Sequence, residues 1–311
     1  ITVNATGSAP VAAFTASATE ITAGQGVQFT DQSSNTPTGW NWNFGDGGTS
    51  TTQSPWHTYT EAGSYTVILS VSNSHGSDSE TKYGYINVEG NAGTITDSRD
   101  GNQYDWVRIG NQVWMAENLA YLPAVSSPAS YSTTVKYYYV FDYNGSSVSS
   151  AKSTANYTNY GVLYNWPAAM DGSASSFTNP SGIRGACPSG WHIPSDEEWK
   201  ELEIFLGLSS SDADIVGWRG TDQGTRLKNT SGWSDGGNGT NTTGFSALPG
   251  GYIDSGHAFS ALGNSGRWWT ATEYEASKVC DRGLFHSYES IGRSYSYCYK
   301  EGGFSVRCVR D

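Results

Sequence analysis

Short runs that alternate apolar and polar side chains, separated by turn-forming residues roughly every ten positions, constrain the first third of the chain most strongly. Val27–Asp31 and Ser64–Ser72 alternate in this way, and Tyr85–Val88 closes the region. A period of two is the pattern of a strand that buries one face, whereas a helix repeats about every 3.6 residues. Residues 1–91 are therefore predicted to form a small β-sandwich domain. Residues 92–311 would form a second domain, with residues 89–94 as a short flexible linker.

The composition argues against several classes of function. Of the 311 residues, 14% are aromatic and 15% are charged, and the formal net charge is −12. Aromatic side chains supply the apolar area of a folded core, so a disordered chain is excluded. An acidic surface repels phosphate backbones and anionic lipid headgroups, which argues against nucleic acid as a partner. No run approaches the ~20 apolar residues that a transmembrane segment requires.

The cysteines indicate the compartment. All of them, Cys187, Cys280, Cys298 and Cys308, lie in the second half of the chain. An even number permits disulfides, in any of three full pairings, and the absence of a Cys-x-x-Cys spacing argues against a thiolate zinc site. Export to the cell surface or the extracellular space is the best account. The chain begins at Ile1 and shows no leader. Two explanations are left open: a signal peptide has been removed, or the chain has been trimmed.

The first domain carries four segments that resemble the PKD (polycystic kidney disease) domain, namely Trp40–Gly48, His57–Tyr59, Gly63–Val67 and Val71–Gly76. The resemblance covers nearly the whole region and implies an all-β immunoglobulin-like sandwich. Such domains act as spacers or as contacts for proteins and glycans.

The same resemblance assigns roles within the first domain. Trp42 and Phe44 would be core residues on a strand, Asp46 and Gly47 would close a tight hairpin, and His57 would be structural. Asp31 and Asp46 are candidate oxygen ligands for a structural calcium ion, the only cofactor considered, although no dense carboxylate cluster accompanies them.

The clearest helix of the second domain is predicted to begin at Ser195. Ser195-Asp196-Glu197-Glu198 has the pattern of a capping box, and acidic residues suit the positive end of a helix dipole. We therefore interpret these carboxylates as capping residues rather than as a catalytic pair. Trp199, Leu202, Phe205 and Leu206 would share the buried face, with Gly207 ending the helix. A second short helix is expected over Trp114–Leu119, and residues 144–159, 171–182 and 229–244 are expected to be loops.

Several segments of the second domain together resemble the Fibrobacter succinogenes major paralogous domain. They are Asp97–Tyr104, Gln112–Leu119, Gly161–Trp166, Cys187–Trp199, Phe245–Gly251 and Gly303–Asp311. The resemblance implies a C-terminal α+β domain with a C-type-lectin-like fold, rich in ordered loops and close to the formylglycine-generating-enzyme branch. Members are usually exported by Bacteroidota-type bacteria, often as surface lipoproteins. No lipobox cysteine is visible, so that a lipid anchor remains open.

This resemblance also implies local structure. The first and last strands of the domain would meet, with Val306 and Val309 in the core. Cys187 and Cys308 would form a disulfide, because both lie in the recurrent segments of the family. Trp268 and Trp269 are expected to pack in the core rather than to stack on a sugar, and His192 is expected to be a hydrogen-bonded structural residue.

Residues 266–303 show neither helical nor strand spacing and are rich in Tyr, Ser, Gly, Arg and His, as antibody paratopes are. They resemble the variable region of a diversity-generating-retroelement target protein, in which adenine-directed mutagenesis diversifies codons near the C-terminus. Cys280 and Cys298 would then be products of diversification. The alternative, a fixed hairpin with an ordinary Cys280–Cys298 disulfide, remains open. The predicted ligand-binding residues are Tyr274, Glu275, Arg282, Phe285, His286, Tyr288, Ser290, Arg293, Tyr295, Tyr297 and Tyr299.

No catalytic motif is present, because HExxH, Walker A and GxSxG patterns are all missing. Related oxidases bind copper with two close cysteines, whereas Cys280 and Cys298 are 18 positions apart. Asp222, Asp235 and Asn238 lie in loops where lectin-like folds hold calcium, but the usual sugar-binding phrases are absent. The sequence therefore predicts a non-catalytic binding or adhesion protein with an unknown protein or glycan ligand. The alternatives are a relative of formylglycine-generating oxidases and a structural surface or filament component.

Overall fold

The computed structural model of the chain describes residues 7–294 and 298–311. It divides into two compact units, one ending at Asn91 and one running from Ala92 to Asp311. Over the described residues, no helix is both long and apolar enough to cross a membrane.

The first unit consists of two sheets around an aromatic core. One sheet has the order β1-β3-β6 and the other the order β2-β8-β7-β4-β5. Val27 and Phe29 are fully buried on β3, which confirms the alternation seen in the sequence. The strands are β1 (Phe14–Ala16), β2 (Glu20–Thr22), β3 (Gly26–Asp31), β4 (Gly39–Asn43), β5 (Thr49–Ser50), β6 (Trp56–Thr58), β7 (Gly63–Asn73) and β8 (Gly76–Glu89).

The turn between β4 and β5 shows why the polar residues of this unit are structural. Trp42 and Phe44 are buried, and the ring of His57 stacks on Phe44 at 4.0 Å between centroids. His57 Nε2 lies 2.7 Å from Asp46 Oδ2, and Asp46 Oδ1 accepts a hydrogen bond from the Gly48 amide. Gly47 has a φ of 94°, which a side chain would strain. These contacts confirm the expected turn and the structural role of His57.

Among its described residues, the second unit has fourteen strands, β9 to β22, and six short α-helices. The strands are β9 (Ala92–Thr96), β10 (Gln103–Ile109), β11 (Gln112–Met115), β12 (Tyr138–Tyr139), β13 (Leu163–Tyr164), β14 (Trp191–His192), β15 (Gly217–Arg219), β16 (Gly250–Ile253), β17 (Phe259–Leu262), β18 (Ser265–Glu275), β19 (Lys278–Phe285), β20 (Ile291–Ser294), β21 (Phe304–Ser305) and β22 (Val309–Arg310). The helices are α1 (Val148–Lys152), α2 (Ala155–Tyr160), α3 (Trp166–Met170), α4 (Asp196–Phe205), α5 (Ser210–Ala213) and α6 (Gln223–Leu227).

Two sheets organise the second unit. One has the order β14-β22-β11-β10-β9, and the other follows β12-β13-β21-β18-β19-β20-β15, with β16 pairing to both β17 and β18. The last strand thus lies in the same sheet as the first, and Val306 and Val309 are buried. Cys187 and Cys308 form a disulfide, as the family resemblance implied. Trp268 and Trp269 are also in the core, as expected.

Three local expectations are corrected. Gln112–Met115 is a fully buried strand rather than a helix, because pairing with β10 and β22 outweighs the helix propensity of Trp114–Leu119. The stretch 144–159 contains α1 and α2, with Ser147 and Thr154 capping them. The linker is shorter than residues 89–94, because β8 ends at Glu89 and β9 begins at Ala92.

Helix α4 forms as the sequence predicts. The Ser195 hydroxyl accepts from the Glu198 amide, and the Glu198 carboxylate accepts from the Ser195 amide, which completes the capping box. Trp199, Leu202 and Leu206 are buried, but Phe205 is 60% exposed and does not share their face. Gly207, with a φ of 94°, follows the helix.

Candidate ligand-binding face

The segment predicted to be irregular is mostly a three-stranded antiparallel sheet. Strands β18 and β19 form a hairpin, and β20 pairs with β19 and with β15. Most side chains of β18 and β19 are buried on both faces of the sheet, so the alternation that would reveal a strand is hidden. The hairpin therefore acts as a rigid support for the residues at its ends.

The predicted ligand-binding residues separate into two groups at opposite ends of this hairpin. Tyr274, which is 53% exposed, and Glu275 lie at the turn, where Glu275 pairs with Lys278 at 2.7 Å. The half-buried Tyr299 lies under Lys278 at 5.7 Å. Ten residues of strand, roughly 30 Å, separate this end from the end at Phe285. The segment does not form one continuous patch.

At the other end, three aromatic side chains form an open cluster. The ring centroids of Trp218 and Tyr288 are 4.6 Å apart, and those of Phe285 and Tyr288 are 5.7 Å apart. Trp218 is 45% and Tyr288 is 44% exposed. Trp218 lies on β15 outside the predicted segment, and no local pattern marks it, because only the β15–β20 pairing brings it here.

Two other predicted residues lie beside this cluster. His286 is half-buried, with Nδ1 3.6 Å from Asp235 Oδ2, and Ser290 is half-buried next to the start of β20. The aromatic cluster thus gathers Phe285, His286, Tyr288 and Ser290 from the prediction. Tyr295 and Tyr297 lie outside the described residues.

The two predicted arginines point into the protein. Arg282 is 0% exposed, and its guanidinium bonds Asp196 Oδ1 and Glu203 Oε1, each at 2.6 Å. Burial lowers the pKa of Arg282, but the two carboxylates outweigh it and hold the pKa above its usual value. The prediction that Arg282 contacts a ligand is therefore wrong, because its hydrogen-bonding capacity is used inside the core.

Arg293 supports the same network from its edge. Its Nη2 lies 2.6 Å from Asp196 Oδ2, and its Nη1 donates to the Asp214 carbonyl at 2.7 Å. Burial raises the pKa of Asp196, yet the two guanidinium groups dominate and hold it far below its usual value. Arg293 thus ties β20 to the first turn of α4. Asp196, which the sequence analysis interpreted as a capping residue, and Glu203, which it did not single out, anchor this sheet.

A groove adjoins the aromatic cluster. It has a volume of about 310 Å³, and we call it the aromatic groove; its lining includes Trp218, Tyr252, Arg267, Gly283, Phe285 and Gly292. The lining is open at Gly283, where an added Cβ would meet no atom closer than 4.0 Å, whereas an added Cβ at Gly292 would lie 3.2 Å from the Trp218 ring. Arg267 and Asp281 form an ion pair at 2.6 Å in its lining. The groove therefore offers aromatic faces beside a fixed pair of opposite charges.

The two remaining cysteines are free and buried. Cys298 Sγ donates to Asp281 Oδ1 at 2.8 Å, whereas Cys280 precedes Asp281 on β19 and so faces the other side of the sheet. Burial raises the pKa of the Cys280 thiol to about 12, and burial beside Asp281 raises that of Cys298. The Cys280–Cys298 disulfide that the sequence left open is not formed.

Most of the candidate calcium ligands have protein partners. Asp31 accepts from the Trp40 indole at 2.7 Å, and Asn238 accepts from the Trp233 amide at 3.0 Å. Within residues 7–294 and 298–311, no group of three or more His, Cys, Asp or Glu side chains is placed to hold a metal ion. His192 lies between Glu198 and Asp311, at 2.6 Å and 2.7 Å, as the structural residue expected.

Comparison with solved structures relates the chain to PKD domains. The PKD1 domain of the Vibrio cholerae metalloprotease PrtV is 35% identical, over 26% of this chain and 98% of that one, with a TM-score of 0.23. The PKD1 domain of Vibrio anguillarum Epp is 30% identical, over 27% and 99%, with a TM-score of 0.23. A carbohydrate-binding module of the β-sandwich superfamily is 22% identical, over 36% and 56%, with a TM-score of 0.26.

Family models account for most of the chain. Among curated proteins, none matches significantly. The PKD domain model matches residues 7–88, and the model of the Fibrobacter succinogenes major domain matches residues 107–310. The chain therefore carries a PKD domain and belongs to the Fibrobacter succinogenes major domain family.

Proposed function

We propose that this chain is a non-catalytic binding or adhesion protein that captures a protein or glycan ligand in the aromatic groove of its second unit. The observation that carries the proposal is the open cluster of Trp218, Phe285 and Tyr288 beside a groove that Gly283 leaves open. Exposed aromatic side chains that are held rigidly give large contact area at a low cost in entropy, and they dominate binding hot spots.

The support beneath the groove favours recognition. Arg282, Asp196 and Glu203 fix the sheet from the inside, so that the aromatic residues are presented on a stiff base. Such preorganisation lowers the entropic cost of binding. The ion pair of Arg267 and Asp281 adds a donor and an acceptor for the polar groups of a ligand.

We also propose a fold class for the second unit and a source of sequence variation for its surface. We place the second unit in the C-type-lectin-like class and assign Phe285, His286, Tyr288 and Ser290 to a retroelement-diversified surface. The genome tests this assignment, since diversification requires a neighbouring reverse transcriptase and a near-copy of the 3′ coding end that differs at adenines. A genome without either would contradict it.

The proposed location is outside the cytoplasm, at the cell surface or in the medium. The Cys187–Cys308 disulfide suits an oxidising compartment, and the formal net charge of −12 disfavours nucleic acid as a ligand. The PKD domain would serve as a spacer, and a lipid anchor belongs to the same proposal.

The absence of catalysis is also a proposal, and copper binding tests it. Cys280 and Cys298 face opposite sides of β19 with raised thiol pKa values, which disfavours the thiolates that a copper site needs. We expect a titration of the full chain with copper(I) to show no tight site that protects both thiols from alkylation. Stoichiometric, tight binding by both thiols would instead favour the oxidase alternative.

Binding itself is tested with paired aromatic substitutions. The full chain is applied to a glycan array and to intact bacterial and host cells, and affinity for each hit is measured. Trp218→Ala and Tyr288→Ala are expected to weaken binding by about 30-fold or more, as at a hot spot. Trp56→Ala and Tyr83→Ala, which remove exposed aromatic rings from the first unit, are the matched controls. If the controls abolish binding and the groove variants do not, the proposed site is wrong.

A further inference from the structure

A second cavity of the family domain contains a buried arginine that forms no ion pair with a carboxylate among the described residues. The cavity has a volume of about 420 Å³, and we call it the Arg307 cavity; its lining includes Asn102, Tyr104, Glu117, Asn118, Tyr157 and Arg307. None of its lining residues also lines the aromatic groove. The cavity is thus independent of the function proposed above.

Arg307 is only 1% exposed. Its guanidinium donates to the Phe245 carbonyl and, at 2.9 Å, to Asn118 Oδ1, which are both uncharged acceptors. It also lies 4.2 Å from the ring centroid of Phe245. In the described part of the chain, no carboxylate lies within ion-pair distance of Arg307, and its Nε has no hydrogen-bond partner.

A comparison with Arg282 shows the electrostatic cost of burying the charge of Arg307. Burial lowers the pKa of Arg307 to about 9, opposed only by the more distant charge of Glu117, whereas two carboxylates contact Arg282. A buried charge without a partner is strongly unfavourable, and a neutral core residue would avoid the cost. A guanidinium kept in this state at the wall of a cavity is suited to an anionic ligand group, which it binds with two donors in a fixed fork.

The other residues that line the Arg307 cavity indicate which groups a ligand carries besides its anionic group. Amides and phenols dominate, among them Asn102, whose Nδ2 lies 3.2 Å from the Tyr157 hydroxyl, and Tyr104. These groups match the alternating donors and acceptors of sugar hydroxyls. Glu117 and Asp105 also line the cavity, and their negative charge disfavours a doubly charged phosphate more than a singly charged carboxylate. The volume is within the range of small-ligand sites.

We propose that the Arg307 cavity binds a small hydroxylated carboxylate, an acidic monosaccharide unit such as a uronic acid, with its carboxylate at Arg307. The hydroxyls would bond the amides and phenols of the wall, and the two acidic side chains would accept from hydroxyls.

The test titrates the full chain with D-galacturonate, D-galactose and inorganic phosphate, by calorimetry or by NMR. Galacturonate is expected to bind at least about tenfold more tightly than galactose, because one charge-assisted contact is lost. Phosphate is expected to bind more weakly than galacturonate. Equal affinity for galactose, tighter binding of phosphate or no binding of galacturonate would each overturn the proposal.

Variants locate the binding. Arg307→Met should abolish the preference for galacturonate over galactose. Because Arg307 is buried and its replacement also tests folding, a second variant changes the exposed Asn159 of the cavity lining to Trp in order to obstruct the cavity. Asn144→Trp is the matched control away from it. Asn159→Trp is expected to weaken galacturonate binding at least about tenfold, with Asn144→Trp and Trp218→Ala unchanged. Loss of binding in the Asn144→Trp or Trp218→Ala variant, or its retention in Asn159→Trp, would contradict the assignment.

Discussion

At the scale of single residues, most buried charges in the described part of the chain are paired with carboxylates. Lys228 instead donates to three backbone carbonyls, and Arg307 keeps an Nε without a hydrogen-bond partner. Arg282 is held by Asp196 and Glu203, and His192 by Glu198 and Asp311. These groups are structural because every strong donor meets a carboxylate. Arg307 differs, which is why it carries the inference of a ligand site.

Arg282→Met is expected to destabilise the second unit by about 1–3 kcal/mol, because Asp196 and Glu203 each lose one buried charged hydrogen bond while Arg293 and Arg219 still pair with them. Urea unfolding measures the change. Lys278→Met, which breaks the more exposed pair with Glu275, is the control and should leave stability unchanged. Similar stabilities for both variants would show that the buried network contributes little.

His192 should make stability depend on pH. Burial lowers the pKa of His192, but hydrogen bonds and charges from Glu198 and Asp311 outweigh it and raise the pKa above its usual value of about 6.5. Because the folded state binds this proton more tightly, the contribution is complete below about pH 6.5 and is lost as the pH rises through the folded-state pKa. We expect the thermal midpoint of the wild type to fall over this range relative to His192→Gln. Parallel pH profiles for the two proteins would refute this coupling.

At the scale of elements, the hairpin of β18 and β19 determines where ligand-binding side chains can stand. Its turn presents Tyr274, and its other end presents Phe285, while the strands between them are buried. Glycines on these strands are not equivalent. At Gly283 an added Cβ would stand open in the aromatic groove, but at Gly266 it would lie 2.8 Å from the Leu248 carbonyl oxygen.

Gly283→Ala should therefore raise the free energy of unfolding by about 0.5–1 kcal/mol, because alanine loses less backbone entropy on folding. Gly266→Ala, the matched change on the neighbouring strand, should lower it by about 1–3 kcal/mol, since the close carbonyl belongs to the backbone. Denaturant titration compares the two variants. If both variants were destabilised to the same extent, the groove would not be open at Gly283.

At the scale of the whole molecule, the two units differ in what stabilises them. The first relies on an aromatic core between two sheets, with Phe14, Phe29 and Trp42 in contact. The second consists of short strands and helices joined by long loops. The disulfide from Cys187 to Cys308, which are 121 positions apart, links the middle of this unit to its C-terminal end.

Loss of this disulfide should destabilise the second unit by about 4–5 kcal/mol, because so long a loop restricts the unfolded chain strongly. Differential scanning calorimetry with and without reductant measures the shift, and the transition of the first unit should not move. The Cys187→Ser/Cys308→Ser variant is the control, and it should not respond to reductant. A reductant effect that persists in this variant would assign the shift to another cause.

The sequence by itself determined what depends on local pattern. Alternation and turn residues predicted the β-sandwich, the capping box predicted α4, and the recurrent family segments implied the Cys187–Cys308 pair. These features involve neighbours in the chain or residues within recognisable phrases, so that they can be identified without the fold.

Only the tertiary structure decided the rest. It formed strands β18, β19 and β20 from much of residues 266–294, with most side chains of β18 and β19 buried on both faces. It also drew Arg282 inward to Asp196 and brought Trp218 beside Tyr288. It also left Arg307 buried at a cavity without a carboxylate contact among the described residues. The physical reason is the same in each case: the partner of each side chain is distant in sequence, and burial removes the polar–apolar alternation that would mark a strand.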